Sequence, residues 1–216
     1  MLSLNELGQK HGADKASEYH GYTKVYPLYL EPLRHEPLTF IELGVFKGAS
    51  CRMWEEYFTH PNAKLYGFDH LIERVTTYLP DGPRWKGFQG DHWSREDLSR
   101  VAEEISPIDV VIDDCLHGAE CQQNTWEVFW PHIKPGGILI IEDINYSSYR
   151  PSRYPNWYEN RIKKGPRSIM PFLNEKLDIL IPSENQEEDI RFMHFYKHCV
   201  VVGKSRPLSP GYQGNE

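Results

Sequence analysis

The spacing of apolar residues changes character near residue 38 of this 216-residue chain. Before it, Tyr22, Val25, Tyr26, Leu28, Tyr29 and Leu33 recur at helical intervals and predict a helix over 17–34, ending near Pro37. After it, short apolar runs alternate with amphipathic stretches. The runs at 38–43 (LTFIEL), 64–69 (KLYGFD), 84–89 (RWKGFQ), 108–113 (IDVVID) and 138–142 (ILIIE) predict five buried strands. The stretches at 48–58, 94–105 and 120–133 predict helices between them. In 94–105, Ser94 is the expected N-cap, and Leu98, Val101, Ala102 and Ile105 form one apolar stripe. KPGG, before residue 138, predicts a turn.

Alternating strands and helices predict an α/β fold: a Rossmann-like, doubly wound, mostly parallel sheet with right-handed crossovers. The segments 189–196 and 199–204 add a closing antiparallel hairpin, making seven strands. The expected organisation is one domain over 1–216, with an N-terminal helical cap at 1–37 and a core at 38–204. Within that core, 145–177 is an acceptor-side excursion in which Pro151, Pro155 and Pro171 oppose regular structure, and 205–216 is an unstructured tail.

A net charge of -7 and scattered basic residues give no nucleic-acid surface; RIKKGPR (161–167) reads as a solvated loop. No run approaches the ~20 apolar residues of a membrane span, and the N-terminus lacks the pattern of a signal peptide. The four cysteines, at 51, 115, 121 and 199, form no Cys-x-x-Cys pair, which fits reduced thiols in a cytoplasmic protein.

In a parallel sheet, ligands bind outside the carboxyl ends of the strands. There this sequence places Glu42 and Gly44, Asp69, Gln89 with Asp91, Asp113 with Asp114, and Glu142 with Asp143. A single acid after a strand commonly caps a turn; acids at nearly every end call for more. The first loop, ELGVFKGAS, has Gly44 for close backbone approach and Ser50 at the helix start, but not the spacing of a dinucleotide fingerprint. Glu42 suits a cationic amino group, Asp69 a ribose diol, and Asp91 an adenine amino group. Together they fit S-adenosylmethionine, and FIELGVFKGAS, LYGFD, PGGILIIED and HFYKHCVVVGK resemble the corresponding parts of class I methyltransferases.

Such an enzyme does not need the acidic pairs of the fourth and fifth strands. Carboxylates of Asp114, Glu142 and Asp143 converging in a cleft would repel one another unless a cation sat among them. An all-oxygen set suits Mg2+, with Mn2+ or Ca2+ also compatible. His117, three residues after Asp114, is a candidate general base, against the ordinary reading of a structural histidine. The segment DDCLHGAECQ…FWPHIKPGGILIIED, with the upstream DK…HGYT…Y, is similar to the metal-dependent sugar O-methyltransferases of macrolide biosynthesis, the mycinamicin and demethylmacrocin type. The resemblance implies that Asp114, Glu142 and Asp143 hold magnesium and that His117 takes the proton of a sugar hydroxyl. The chain is expected to lack the extra N-terminal domain of the macrolide enzymes, which turns the expected acceptor toward other glycosides, of rhamnoside or mannoside type.

Tyr22, Thr23 and Tyr146 are candidate acceptor contacts, with core packing as the alternative; Tyr19 and His20 could border the same pocket, and His194 reads as structural. The resemblance also implies a homo-oligomer. Competing readings are a catechol-type O-methyltransferase and a nucleotide- or metal-binding module without catalysis. An iron hydroxylase needs two histidines with one carboxylate, and one cleft histidine does not supply them.

Overall fold

The computed structural model describes residues 1–144, 168–180 and 190–205. Seven strands form one sheet: β1 (Thr39–Leu43), β2 (Lys64–Asp69), β3 (Trp85–Gln89), β4 (Ile108–Asp113), β5 (Ile133–Ile141), β6 (Ile190–Tyr196) and β7 (Cys199–Lys204). Their order is β3-β2-β1-β4-β5-β7-β6. The first five are parallel, and β7 runs antiparallel to both β5 and β6. The chain winds outward from β1 to β3, then returns to place β4 on the other side of β1. That reversal opens a crevice between the β1 and β4 ends, where such sheets bind ligands.

The helices are α1 (Leu4–His11), α2 (Pro27–Leu30), α3 (Ala49–Tyr57), α4 (Ile72–Thr77), α5 (Arg95–Ile105), α6 (Ala119–Phe129) and α7 (Met170–Leu180). Two apolar layers follow from the period-2 alternation of the strands. On one face Ile41, Leu43, Val111, Leu139 and Ile141 pack with Leu98, Val101 and Phe129 of α5 and α6. On the other, Phe40, Val110, Ile112, Ile138 and Ile140 pack with Leu4, Leu7, Tyr26, Trp54 and Phe58. The N-terminal segment therefore forms part of the second layer.

Four features depart from the sequence expectations. The helix expected over 17–34 is broken: Gly21 takes φ 75°, a 3-10 turn spans Tyr22–Lys24, and α2 is a single turn opened by Pro27 and followed by a second 3-10 turn at Glu31–Leu33. The helix expected to reach Ile133 stops at Phe129, because Pro131 supports only a 3-10 turn over Trp130–His132. KPGG lies inside β5 as an irregularity, with the register slipping between the Ile108–Ile133 and Val110–Ile138 pairs. Finally, α7 begins within the stretch expected to be irregular. Pro171 is its second residue, where the missing N–H costs nothing, and Phe172 meets Trp126 edge-on at 5.6 Å between ring centres. Residues 145–167 and the 206–216 tail lie outside the described residues.

Candidate active site

Strand parity assigns the acids. Glu42, Asp114 and Glu142 share the parity of Phe40, Ile112 and Ile140, so all three turn toward the N-terminal layer. Asp113 has the opposite parity and turns toward α5 and α6. There it is buried, with His92 Nε2 3.3 Å from its Oδ2 and the Cys115 amide donating to Oδ1 at 3.3 Å. Burial would raise its pKa, but the nearby His92 and these hydrogen bonds hold it below the ordinary value. His92 is fully buried and also 2.7 Å from Thr125 Oγ1. Asp113 thus anchors the base of the β4 loop and turns away from the side on which a cofactor contact was expected.

At the centre of the other three lies Lys15. Its side chain is fully buried, and its ammonium donates to Asp114 Oδ2, stands 2.9 Å from both Glu142 oxygens, and lies 3.4 Å from Glu42 Oε1. Burial alone would lower the lysine pKa; the charges of Asp114, Glu142 and Glu42 more than reverse this and keep it cationic. Burial, the Glu142 charge and lesser acids push Asp114 well up against the pull of Lys15. Burial likewise takes Glu142 up to about 7, opposed by Lys15 and by the hydroxyl of Tyr26, which donates to Oε1. The cation required among the acids is therefore present in part as a side chain. Lys15 enters the sequence reading only through the upstream DK…HGYT…Y pattern and Tyr26 only as an apolar position, because the acids they serve lie up to 127 residues away.

Glu42 does not face the cofactor cleft as expected. It is fully buried and accepts from Ser50 Oγ at 2.7 Å and Trp54 Nε1 at 3.2 Å, besides its ion pair with Lys15. Gly44, at φ 110°, sits where the β1 loop presses on the β4 loop: a Cβ there would stand 2.1 Å from the Asp114 carbonyl oxygen. Asp69 is also heavily engaged, accepting from the Phe46 amide at 3.1 Å, the Leu71 amide at 3.2 Å and Arg74 at 3.2 Å. A ribose diol there would share the carboxylate with these donors.

The acids that do reach open space gather around His117. Asp114, His117 and Asp143 are partly exposed, and one potential ligand atom from each lies within 4.8 Å of the others. Asp143 Oδ2 is 3.7 Å from His117 Nε2, while Oδ1 accepts from Tyr22 Oη at 2.9 Å. Tyr22, where the sequence suggested an acceptor contact or core packing, is buried with its hydroxyl on Asp143. Thr23 points elsewhere: it is buried, with its hydroxyl on Asn5 Oδ1 at 2.7 Å. Tyr146 lies outside the described residues. The surrounding protein lowers the His117 pKa, with Asp143 and Asp113 pulling the other way. Both His117 (φ 52°) and Asp143 (φ 50°) occupy the left-handed region. Strained backbone of this kind clusters at functional sites.

A cleft of about 860 Å³ opens beside this group, lined among others by Gly44, Phe46, Ser50, Asp69, Asp114 and His117. A second cavity of about 430 Å³ shares His70 and Leu116 with it and is lined by Gln89 and Asp91. Asp91 Oδ1 accepts from the Trp93 amide at 3.0 Å, and Gln89 Nε2 donates to the His70 carbonyl at 3.2 Å. The residues predicted for a cofactor thus line two adjoining cavities, except Glu42 and Asp113. No helix among the described residues is long and apolar enough to cross a membrane.

Residues 41–144 match the family model Methyltransf_24, described as a methyltransferase domain. The chain is 34% identical, over 68% of its length and 38% of the relative's, to the 8-demethyl-8-(2-methoxy-alpha-L-rhamnosyl)-tetracenomycin-C 3'-O-methyltransferase of Streptomyces olivaceus. It is 30% identical, over 68% of its length and 37% of the relative's, to the mycinamicin VI 2''-O-methyltransferase of Micromonospora griseorubida. A solved structure of the MycE methyltransferase from the mycinamycin biosynthetic pathway, in complex with Mg, SAH and mycinamycin VI, aligns with a TM-score of 0.76 at 26% identity. That alignment covers 99% of this chain and 57% of MycE, so the chain spans little more than half of that relative and less of the other two.

Proposed function

We propose that this chain, which belongs to that methyltransferase family through residues 41–144, transfers a methyl group from S-adenosylmethionine to a sugar hydroxyl of a glycoside in a magnesium-dependent reaction. The observation that carries the reading is the convergence of Asp114, His117 and Asp143 beside the large cleft. The relatives named for O-methylation of rhamnosyl and mycinamicin substrates support the acceptor class, and the MycE complex with Mg and SAH supports both cofactors.

The donor set fits a hard divalent ion: carboxylates of Asp114 and Asp143, with Glu142 behind them. Glu142 would join the ligands only by sharing its oxygens with Lys15 and Tyr26. A bound divalent ion supplies Lewis acidity, lowering the pKa of a neighbouring hydroxyl. S-adenosylmethionine supplies a methyl group already activated on sulfur. What remains for the protein is proton removal and alignment. His117, kept neutral by its surroundings, accepts the hydroxyl proton, and Asp143, 3.7 Å from Nε2, stabilises the imidazolium that results. Gly44 lets the β1 loop close on the β4 loop, Ser50 and Asp69 border the main cleft, and Gln89 and Asp91 border the adjoining cavity where an adenine would lie.

We assign the enzyme to the cytoplasm, supported by free thiols at all four cysteines. We also assign it to a homo-oligomer, supported by Tyr19 and Leu28 standing 72% and 68% exposed on the N-terminal segment. The test of function is methyl transfer from labelled S-adenosylmethionine to a panel of rhamnosides, mannosides, macrolide glycosides and catechols. Turnover confined to glycosides supports the reading; turnover confined to catechols replaces it with the catechol type, and cofactor binding without any turnover replaces it with a binding module.

A further inference from the structure

Residues 1–37 lie outside the segment matched by the methyltransferase model, yet their Lys15, Tyr22 and Tyr26 contact four acids, Glu42, Asp114, Glu142 and Asp143. Lys15 ties together acids at the ends of β1, β4 and β5. Tyr22 holds one oxygen of Asp143 and leaves the other toward His117. Buried ion pairs of this kind seldom add stability over apolar side chains of similar volume, so their value has to be sought elsewhere. Second partners of metal-ligating side chains fix ligand orientation and tune affinity.

We propose that Lys15 and Tyr22 are positioning residues that aim the carboxylates of Asp114 and Asp143 at a divalent cation, making the N-terminal segment an integral part of the metal site. The inference rests on the magnesium-dependent reading above. In this arrangement Lys15 occupies Oδ2 of Asp114 and Tyr22 occupies Oδ1 of Asp143, which limits each side chain to one orientation. Neither residue touches substrate; each acts through a carboxylate.

The test is Mn2+ binding to the metal-free full-length protein, followed by electron paramagnetic resonance of free Mn2+, for wild type, Lys15→Met and Tyr22→Phe, with thermal melting in parallel. Each substitution is expected to weaken Mn2+ binding roughly 10–100-fold, the range typical of second partners of ligands. Lys15→Met strands three carboxylates and could fail to fold; Tyr22→Phe removes one hydroxyl from a core ring and then decides the question. Lower melting temperatures with Mn2+ affinity unchanged within twofold would make the two residues structural and overturn the inference alone. A wild-type protein that binds no Mn2+ would overturn the metal reading, and this inference with it.

Discussion

His117 and Asp143 share an uncommon backbone region and a contact, and their proposed roles are linked. His117→Asn keeps a residue that tolerates positive φ but removes the base. It is expected to lower kcat by about 10²–10⁴-fold, the usual contribution of general base catalysis, while leaving Mn2+ affinity within a few-fold; a matching loss of Mn2+ binding would make the imidazole a ligand instead. The pH profile follows from the same group. Because its pKa lies below the ordinary histidine value of about 6.5, the loss of kcat/KM that comes from protonating this base is expected on the acid side of that value, and His117→Asn is expected to abolish that part of the profile. Cys115 lines the cleft, but burial and the charges of Asp113 and Asp69 push its thiol well up. It is expected to resist iodoacetamide at pH 7.5, since the thiolate is the reactive form; mass spectrometry of the treated native protein checks this. The sequence made the acids legible, but not their partners. Alternation alone separates Asp113 from Asp114, whereas Lys15 sits in an irregular turn with no periodicity to mark it.

At the scale of elements, β1, β4, β7 and the second half of β5 were legible because they are near-continuous apolar runs, and α5 because its cap and stripe agree. Besides α7, two helices carry no sequence prediction, α1 and α4. For α1 a signal was present: Ser3 and Glu6 form a capping box, with the Ser3 amide donating to Glu6 at 2.7 Å and the Glu6 amide to Ser3 Oγ at 3.3 Å. Ser3→Ala is expected to cost about 1 kcal/mol, seen as a melting shift of about 2–4 °C for a chain of this size. α4 is six residues long with one buried apolar residue, Val75, too little pattern to detect. The aperiodic joints went wrong at prolines and glycines, where one residue decides whether a helix continues. Gly44→Ala tests one such joint. Its Cβ would strike the Asp114 carbonyl, and strain from positive φ adds to the clash, so a loss of more than about 1 kcal/mol is expected, together with lower activity from the displaced β4 loop.

For the whole molecule, strand order does what no single motif could. Bringing β4 between β1 and β5 sets Glu42, Asp114 and Glu142 side by side on one face, and the N-terminal layer closes over them with a lysine and two tyrosines. That closure was beyond the reach of the sequence because it depends on how the layers stack. The most direct measurement of the central claim is labelled methyl transfer to an accepted glycoside before chelation, after EDTA, and after Mg2+ is restored, with S-adenosylmethionine binding followed throughout. The account predicts that transfer stops with EDTA, that cofactor binding persists, and that Mg2+ restores transfer. Transfer that continues undiminished in EDTA would contradict it, leaving the acids around His117 and Lys15 as structure alone.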